Sequence, residues 1–424
     1  MLQHIRVLDL TDDMGLYCGK LFADLGADVI KIEKPGGDDS RSIPPFFHDQ
    51  AHPEKSLYFF YHNTNKRGIT LNLETAAGRS IFKHLIKTTD VLLETFPTGY
   101  LDKLGLGFSA LHEINPRLVM TSISGFGRTG PYKEFKALDI VGTAMGGLMS
   151  LSGWPDLPPM RPGGAPHGYM LACIHAMVGT LIALYWRELA GEGQHVDVSM
   201  AEAVSITQEV SMQYYDLLGI IRPRIPTYTE SAVMLPMRGI YPCKNGYIKC
   251  YVGRVGKPAT AVIDWMDSEG MAGDLIEERW RQVVAKLDDV APLRPFMANP
   301  DAFPDLRAQF AHVDEVFVAF LMRHTKEEIC EAAQQRNLMF LPVNTAEDLL
   351  HDPQLLAREF FDNVYHPELG ATLRYPGTSI RFDGAAPKLT QRPPLIGEHN
   401  FEIYEKELGF TRREISLLKA EGVI

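Results

Sequence analysis

The stretch IRVLDLTDDMGLYCGKLFADLGADVIKIE, residues 5–33, contains two short apolar runs separated by an amphipathic segment. The first run, Ile5 to Leu10, and the second, Ala27 to Glu33, have the length and residue types of buried strands. Between them lie a turn that contains glycine and a segment with helical spacing. The stretch therefore predicts a β-α-β unit of about thirty residues, which favours parallel strands and a right-handed crossover.

Strand-like runs continue to alternate with helix-like segments through the first 130 residues, in the order GITLNL (68–73), TAAGRSIFKHLIKTT (75–89), DVLLETF (90–96) and LHEINPRLVMTSIS (111–124). This alternation predicts a doubly wound α/β domain. Ligands of such sheets bind beyond the carboxyl ends of the strands. We therefore expect site residues in the loops after Glu33, Phe96 and Ser124.

The pattern changes at about Ile221. RGIYPCKNGYIKCYVG, residues 238–253, alternates apolar and polar residues, and Asn245-Gly246 inside it is typical of a type I′ hairpin turn. Mixed, helix-rich sequence follows as far as residue 337. Residues 221–337 are therefore predicted to form a second, smaller α+β domain.

The net charge, the cysteine pattern and the N-terminus argue against several classes of protein. The chain has 42 Lys and Arg against 53 Asp and Glu, a net charge of −11, which argues against non-specific binding to nucleic acid or to an anionic membrane. The five cysteines are scattered, without a Cys-x-x-Cys pair or a histidine at zinc spacing. The N-terminus has charges where a signal peptide needs an apolar core. We therefore expect a reduced, cytoplasmic protein without a metal site.

One segment raises the question of a membrane. Residues 162–186 carry no charged side chain, and the last 18 of them satisfy the length test for a transmembrane helix. The segment has no companion, and His175 and Gly179 lie inside it. We expect a helix that is buried all round in a large core or in a subunit interface.

A glycine-rich segment, Gly125 to Gly130, fits G-x-G-x-x-G and follows a predicted strand. A dinucleotide-binding turn would open directly into a helix, whereas here Pro131 and the residues after it continue as loop. The pattern thus disfavours a dinucleotide site and leaves two interpretations open, a plain connection or an active-site loop of another kind.

Cations cluster near the predicted strand ends: Lys34, Arg41, Lys66, Arg67, Lys103 and Lys136. Solvated surface charges are the ordinary role for any one of them. Together, in an acidic protein, they favour a small anionic ligand with several phosphates, because charge-assisted hydrogen bonds would neutralise it.

Seven segments together resemble the family III (CaiB/BaiF-type) coenzyme A transferases: GADVIKIEKPGGDDSR, NTNKRGITLNL, LLETFPTGYLDKLGLG, SISGFGRTGPY, ALDIVGTAMGGLMSLSG, WRELAGEGQHVDVSM and PPLIGEHNFEIYEKELGFTRREISLLKAEGVI. The resemblance implies a large α/β domain built from residues 1–220 and 338–424, around the small middle domain. It also implies an interlocked dimer, and coenzyme A (CoA) or an acyl-CoA as a substrate. The residues at the family's CoA-contacting positions are Lys34, Leu71, Thr95, Phe96, Lys103 and Lys136, with Arg41 and Arg67 nearby.

The sequence departs from the family at its nucleophile. In these transferases an Asp carboxylate, ten residues before a helix glycine, attacks the acyl-CoA thioester. Counting back from Gly179 leads to Tyr169, and no Asp or Glu lies between Asp156 and Glu188. A phenol with a pKa of about 10 is a poor substitute. His167 is a weak alternative as nucleophile or base.

An intact framework without the Asp resembles the non-catalytic subunit of heteromeric family III enzymes, some of which move CoA between succinyl-CoA and an aromatic-substituted succinate in anaerobic aromatic degradation. The implied partner is a homologous subunit that carries the Asp. Two alternatives stay open: a homodimeric acyl-CoA enzyme that uses His167 or Tyr169, and a CoA-thioester-binding protein without turnover.

Overall fold

Residues 5–33 form the predicted unit, β1 (Arg6–Leu10), α1 (Leu16–Asp24) and β2 (Asp28–Glu33), in which the two strands are parallel. We describe it from a computed structural model. The structure describes residues 1–154, 157–222, 224, 235–253, 256–384 and 387–424.

The remaining helices and strands are, in chain order, α2 (Leu57–Asn63), β3 (Arg67–Thr70), α3 (Ala76–Ile86), β4 (Val91–Glu94), α4 (Tyr100–Lys103), α5 (Phe108–Ile114), β5 (Val119–Ser124), α6 (Asp139–Met145), α7 (His167–Ala190), β6 (His195–Ser199), α8 (Met200–Ile206), α9 (Ser211–Leu218), β7 (Gly239–Cys243), β8 (Gly246–Tyr251), α10 (Thr260–Ser268), α11 (Glu278–Ala285), α12 (Arg294–Ala298), α13 (Pro304–Leu321), α14 (Lys326–Gln335), β9 (Met339–Pro342), α15 (Ala346–His351), α16 (Pro353–Ala357), β10 (Phe361–His366), β11 (Ala371–Pro376) and α17 (Arg412–Ala420). A π-helical turn covers Glu402–Glu407.

The chain divides into two compact units. The first comprises Met1–Met149, Arg161–Met212 and Pro353–Ile424, and the second comprises Ser150–Met160 and Gln213–Asp352. The second unit thus begins before the expected residue 221 and continues past residue 337, because β9 pairs with β8.

The first unit is built on a six-stranded parallel sheet of order β3-β2-β1-β4-β5-β6. The strand order reverses between β1 and β4, the position at which doubly wound sheets bind their ligands. The predicted α/β class is therefore confirmed, and the sheet directs attention to the loops after β1 and β4.

Alternate residues of β1 enter two separate cores. Val7 packs on one face of the sheet with side chains of α1 and α7, among them Phe22 and Cys173. Leu8 packs on the other face with α3, α5 and the C-terminal helices, among them Phe82 and Ile415. This alternation follows from the two-residue period of a strand, and it explains why β1 is apolar at both kinds of position.

The C-terminal segment returns to the first unit, beside β3. The Tyr404 hydroxyl donates to the Thr70 carbonyl at 2.6 Å, and the Gly68 amide donates to His399 Nδ1 at 3.1 Å. Helix α17 begins at a capping box formed by Thr411 and Glu414. Residues that lie more than 320 positions apart in sequence thus share one sheet edge.

The second unit has a three-stranded antiparallel sheet of order β7-β8-β9, with one apolar core around it. The hairpin predicted at Asn245-Gly246 is present, but its turn differs. Cys243 pairs with Gly246, so the loop residues are Lys244 and Asn245, and neither has the positive φ that a type I′ turn requires.

Helix α7 contains most of the charge-free segment and continues past it through Arg187 and Glu188. By length and composition it is the one helix among the described residues that could cross a membrane, which is weak evidence, and half of its most apolar window is buried. Within this chain the helix is buried on one face only, so of the two expectations the core alone does not account for it, and burial in a subunit interface stays a prediction. One face packs in the core, and the other exposes an outer stripe that consists of Ile174, Val178, Ile182, Tyr185, Trp186 and Leu189.

Candidate active site

The loops after β1 and β4 are joined where the strand order reverses. The Asp12 amide donates to Thr95 Oγ1 at 2.8 Å, and the Phe96 amide donates to the Glu94 carboxylate at 2.7 Å. The Phe96 ring stacks on Tyr100, with 4.9 Å between their centroids. Two of the residues at the family's CoA-contacting positions, Thr95 and Phe96, therefore lie at the crevice that the topology selects.

Buried charged side chains hold the loop after β1 in place. Lys66 Nζ lies 2.8 Å from Asp9 Oδ2, and both side chains are fully buried. The Thr11 amide and hydroxyl donate to Asp9 Oδ1 at 3.0 and 2.6 Å. Burial alone would raise the pKa of Asp9, but Lys66 and Lys31 hold it below its ordinary value. Lys66 is thus a structural cation rather than a ligand contact.

Tyr169 lies in the first turn of α7 and is 6% exposed. Pro166, the residue before the helix, makes no side-chain cap, and the cap comes from Asp139. Asp139 Oδ1 accepts hydrogen bonds from the amides of Gly168 at 2.7 Å and Tyr169 at 3.2 Å, and Arg161 Nη2 lies 3.0 Å from Asp139 Oδ2. The carboxylate of α6 therefore fixes the start of α7 and, with it, the position of the Tyr169 ring.

The environment keeps the phenol of Tyr169 protonated. Burial raises the pKa of Tyr169 well above its ordinary value, and the negative charge of Asp13 raises it further. A nucleophile needs the opposite shift. The structure therefore gives Tyr169 no means of activation as a phenolate.

His167 opens the same helix and is half-buried. Its ring lies against Gly163, where an added Cβ would come within 2.4 Å of His167 Nε2. Within the described parts of the chain, no hydrogen bond to the ring is found that would orient it as a base. His167 stays a weak candidate.

Asp13 is a site residue that the sequence analysis missed. It follows β1 directly, is half-buried, and its charge acts on the phenols of both Tyr169 and Tyr58. Burial raises the pKa of Asp13 to about 6, and the neighbouring Asp12 adds to the shift. The sequence offered one indication that Asp13 is a site residue, its position in the loop after the first strand, because loops at the strand order reversal carry site residues.

The structure gives two of the predicted cations other partners. Arg41 is fully buried, pairs with Glu33 and Glu54, and donates to the Pro394 carbonyl. Arg67 lies at the amino end of β3, away from the ligand edge of the sheet, and pairs with Asp28 and with two carboxylates of the C-terminal segment. We therefore remove both from the set of expected CoA contacts.

Three lysines remain available. Lys34 is 63% exposed and pairs with the exposed Asp39 at 2.9 Å. Lys103 and Lys136 are exposed, and neither makes an ion pair with another described residue. Leu71 follows β3, and its side chain packs in the core, so a ligand would meet its backbone. These positions are consistent with the predicted set, which stays a prediction.

The glycine-rich segment continues as loop from Gly125 to α6, as expected from its departure from the dinucleotide pattern. Gly127 and Gly130 both have φ of 83°, a conformation that favours glycine. Arg128 lies between them and reaches Glu94 at 3.3 Å and Asp102 at 3.2 Å. The loop is therefore tied to the end of β4, at the crevice.

No group of three or more His, Cys, Asp or Glu side chains that could hold a metal ion occurs among the residues that the structure describes.

A sequence model of CoA-transferase family III matches residues 2–400, and the chain belongs to that family. It is 36% identical to the succinyl-CoA:(R)-benzylsuccinate CoA-transferase subunit BbsE of Thauera aromatica, over 99% of this chain and 97% of that one. It is 31% identical to the succinyl-CoA–D-citramalate CoA-transferase of Chloroflexus aurantiacus, over 100% of this chain and 98% of that one. A CaiB/BaiF family protein from Brucella suis matches with a TM-score of 0.80 at 28% identity, over 96% of this chain and 98% of that one.

Proposed function

We propose that this chain is a subunit of a heteromeric CoA-transferase that moves CoA between an acyl-CoA and a carboxylic acid, and that it lacks the nucleophile of the pair. Succinyl-CoA as donor and an aromatic-substituted succinate as acceptor are the proposed substrates. The name of the Thauera aromatica relative supports both the substrates and the status as a subunit. The proposed location is the cytoplasm.

The observation that carries the proposal is Tyr169. Family chemistry needs a carboxylate that attacks the thioester carbonyl and releases the CoA thiolate. Here a buried, protonated phenol occupies the first turn of α7, and Asp139, the nearest carboxylate of α6, is engaged in capping that helix. With no carboxylate at the nucleophile position and Asp139 engaged, the proposal is that a homologous subunit supplies the attacking carboxylate.

The outer stripe of α7 supports a partner chain. Six large apolar side chains line one face of this helix, and monomeric proteins seldom expose continuous apolar patches of that size. A helix that is apolar on both faces suits burial between chains. An interlocked pair of homologous subunits would cover this face.

The proposed CoA contacts are Lys34, Thr95, Phe96, Lys103, Lys136 and the backbone at Leu71. Thr95 and Phe96 lie at the strand order reversal, and the three lysines are exposed and able to meet phosphates. Arg41 and Arg67 are not part of this set.

Asp13 favours a second candidate, a chain that is active without a partner. A half-buried carboxylate beside Tyr169 could attack the thioester in place of the missing Asp. In this case the chain would be a homomeric transferase with its nucleophile on the β1 loop.

One experiment separates the two candidates. The chain is purified alone and together with a homologous subunit that carries the Asp. Transfer of CoA from succinyl-CoA is measured, and acyl-enzyme is trapped with hydroxylamine and located by mass spectrometry. We expect turnover only for the pair, trapping only on the partner, and unchanged activity of a pair that contains Tyr169→Phe.

Full turnover of the chain alone would contradict the proposal. If that activity disappears in Asp13→Ala and the trapped adduct lies on Asp13, the second candidate is correct. Binding of CoA by the chain without turnover in either arrangement would instead support a binding protein.

A further inference from the structure

The second unit contains a buried arginine that lacks a counter-charge. Arg238 directly precedes β7 and is 6% exposed. Its Nε and Nη2 are buried and make no hydrogen bond, and no Asp or Glu in the described ranges forms an ion pair with it. A guanidinium cannot lose its charge in a protein. Most buried polar groups have partners, so this exception requires an explanation.

The strand register explains how Arg238 is held. Gly239 pairs with Cys250, so Arg238 lies opposite Tyr251, and its guanidinium carbon is 4.3 Å from the centre of the Tyr251 ring. The aromatic face fixes one side of the planar group and leaves its N–H edges directed away from the ring. Stacking orients the fork without satisfying its donors.

A second cation lies on the same face of the hairpin. Lys249 is two residues from Tyr251 on β8, so both side chains point to one side of the sheet. Burial lowers the pKa of Lys249, and the charge of Arg238 on the same face lowers it further. The face of the hairpin that carries Arg238 thus carries a second cation.

The carboxylate bonded to this segment does not neutralise Arg238. Asp314 accepts hydrogen bonds from the Tyr241 hydroxyl at 2.8 Å and the Met237 amide at 3.3 Å, on the core side of the sheet. Burial raises the pKa of Asp314 to about 6, and Arg238 is not among the groups that act on it. The positive charge of Arg238 therefore stays uncompensated within the described structure.

We propose that Arg238 forms an anion site within the second unit and binds the carboxylate group of a small organic acid, through two parallel hydrogen bonds from its guanidinium, while Tyr251 stacks on the guanidinium. A planar carboxylate matches the geometry of the fork. The identity of the acid rests on the proposed function, whereas the anion site itself rests on Arg238 alone. Oxyanions of this kind also occur on CoA, so the test has to separate carboxylate from phosphate.

The test measures binding to the full chain by calorimetry at constant ionic strength, with and without CoA. The probes are sodium succinate for the carboxylate and adenosine 3′,5′-bisphosphate for the phosphates. We expect Arg238→Met to weaken succinate binding about 10- to 100-fold, because a hydrogen-bonded charge pair is lost, and to leave bisphosphate binding within about twofold. Arg238→Lys keeps the charge without the fork and should be intermediate.

Arg279→Met is the matched control. Arg279 lies in the same unit and also stacks on an aromatic ring, that of Trp280 at 5.3 Å, but it is 67% exposed and pairs with Glu277. Its replacement should leave succinate binding unchanged.

Melting temperature without ligand provides the second readout. Arg238→Met should melt at or above the temperature of the wild type, because an uncompensated buried charge is removed. Added succinate should raise the melting temperature of the wild type and not that of the variant.

Three results would overturn the proposal. The first is equal succinate affinity of Arg238→Met and wild type, including no binding by either, and the second is a loss of affinity for the bisphosphate alone. The third is a lower melting temperature of the variant, which would mean that Arg238 has a structural partner. Binding is measured without turnover. A failure of the proposed transferase activity would therefore not change how the binding experiment is interpreted.

Discussion

Arg41 and Arg238 are both buried arginines that stack on an aromatic ring, yet their donors are used differently. Arg41 lies 3.7 Å from the centre of the Phe59 ring, and its donors are taken by Glu33, Glu54 and the Pro394 carbonyl. Arg238 stacks on Tyr251 in the same manner, and its buried donors have no partner among the described residues. The residue type and the stacking are shared, and the counter-charges are not.

The difference shows which buried charges can serve a ligand. A charge that is already paired and hydrogen-bonded holds its own surroundings together, and any anion would have to compete with a fixed carboxylate. An unpaired charge weakens the fold unless a ligand completes it. Such groups are therefore the better candidates for binding sites.

The largest expected effect comes from breaking the paired member. Arg41→Met should lower the free energy of unfolding by about 3–5 kcal/mol, because Glu33 would remain buried without its partner. The contact with Pro394 would also be lost, which loosens the C-terminal segment. Denaturant unfolding measures this change.

Arg238→Met is the natural control for this prediction, since it removes the same group from a site without carboxylates. If Arg41→Met were as stable as wild type and bound CoA less tightly, Arg41 would be a ligand contact after all, and the distinction between the two arginines would fail.

Sequence reasoning succeeded where the signal was local. The apolar runs at residues 5–10 and 27–33 form β1 and β2, and the segment between them forms α1, as their spacing indicates. The doubly wound sheet follows from such repeats. The family resemblance directed attention to Tyr169, which the structure finds in the first turn of α7.

Sequence reasoning failed where the outcome depended on how the chain folds. Arg41 was expected to meet a ligand, but the fold directs it onto Glu33 and Glu54, 8 and 13 positions away, and onto the Pro394 carbonyl, 353 positions away. Arg67 is the first residue of β3, so it lies at the opposite end of the strand from the ligand loops. Arg238 has no distinguishing neighbour in the sequence, since its lack of a counter-charge is visible only in three dimensions.

Asp13 extends the comparison to an unpaired carboxylate, with a smaller expected effect. Its pKa is about 6 in the folded chain and 3.8 as an isolated side chain, so the folded state holds the proton more strongly. Stability should therefore fall as the pH rises from about 4 to 6 and stay lowered above that. Asp13→Asn should be more stable than wild type by about 1–2 kcal/mol at pH 8, allowing for solvent screening, and equal to it near pH 4.

Chemical denaturation at several pH values measures this difference. Asp39→Asn is a suitable control, because Asp39 is an exposed carboxylate paired with Lys34. A gain in stability for Asp13→Asn that does not depend on pH would mean that the substitution acts through packing, and Asp13 would then not belong with the uncompensated charges.

The smallest effect on stability is expected for Lys34, which is neither buried nor unpaired. Its ion pair with Asp39 is solvent-exposed, and such pairs contribute little, so Lys34→Ala should change the free energy of unfolding by less than about 0.5 kcal/mol. If Lys34 meets a phosphate of CoA, the same substitution should weaken CoA binding about 3- to 10-fold, with the difference shrinking as salt is added. Lys419 is an exposed lysine of α17, and Lys419→Ala should alter neither the free energy of unfolding nor the CoA affinity.

Equal CoA affinity of Lys34→Ala and wild type at low salt would remove Lys34 from the site. Binding would then depend on Lys103, Lys136 and the loop after β4, because a flexible exposed cation contributes only where a ligand phosphate actually reaches it.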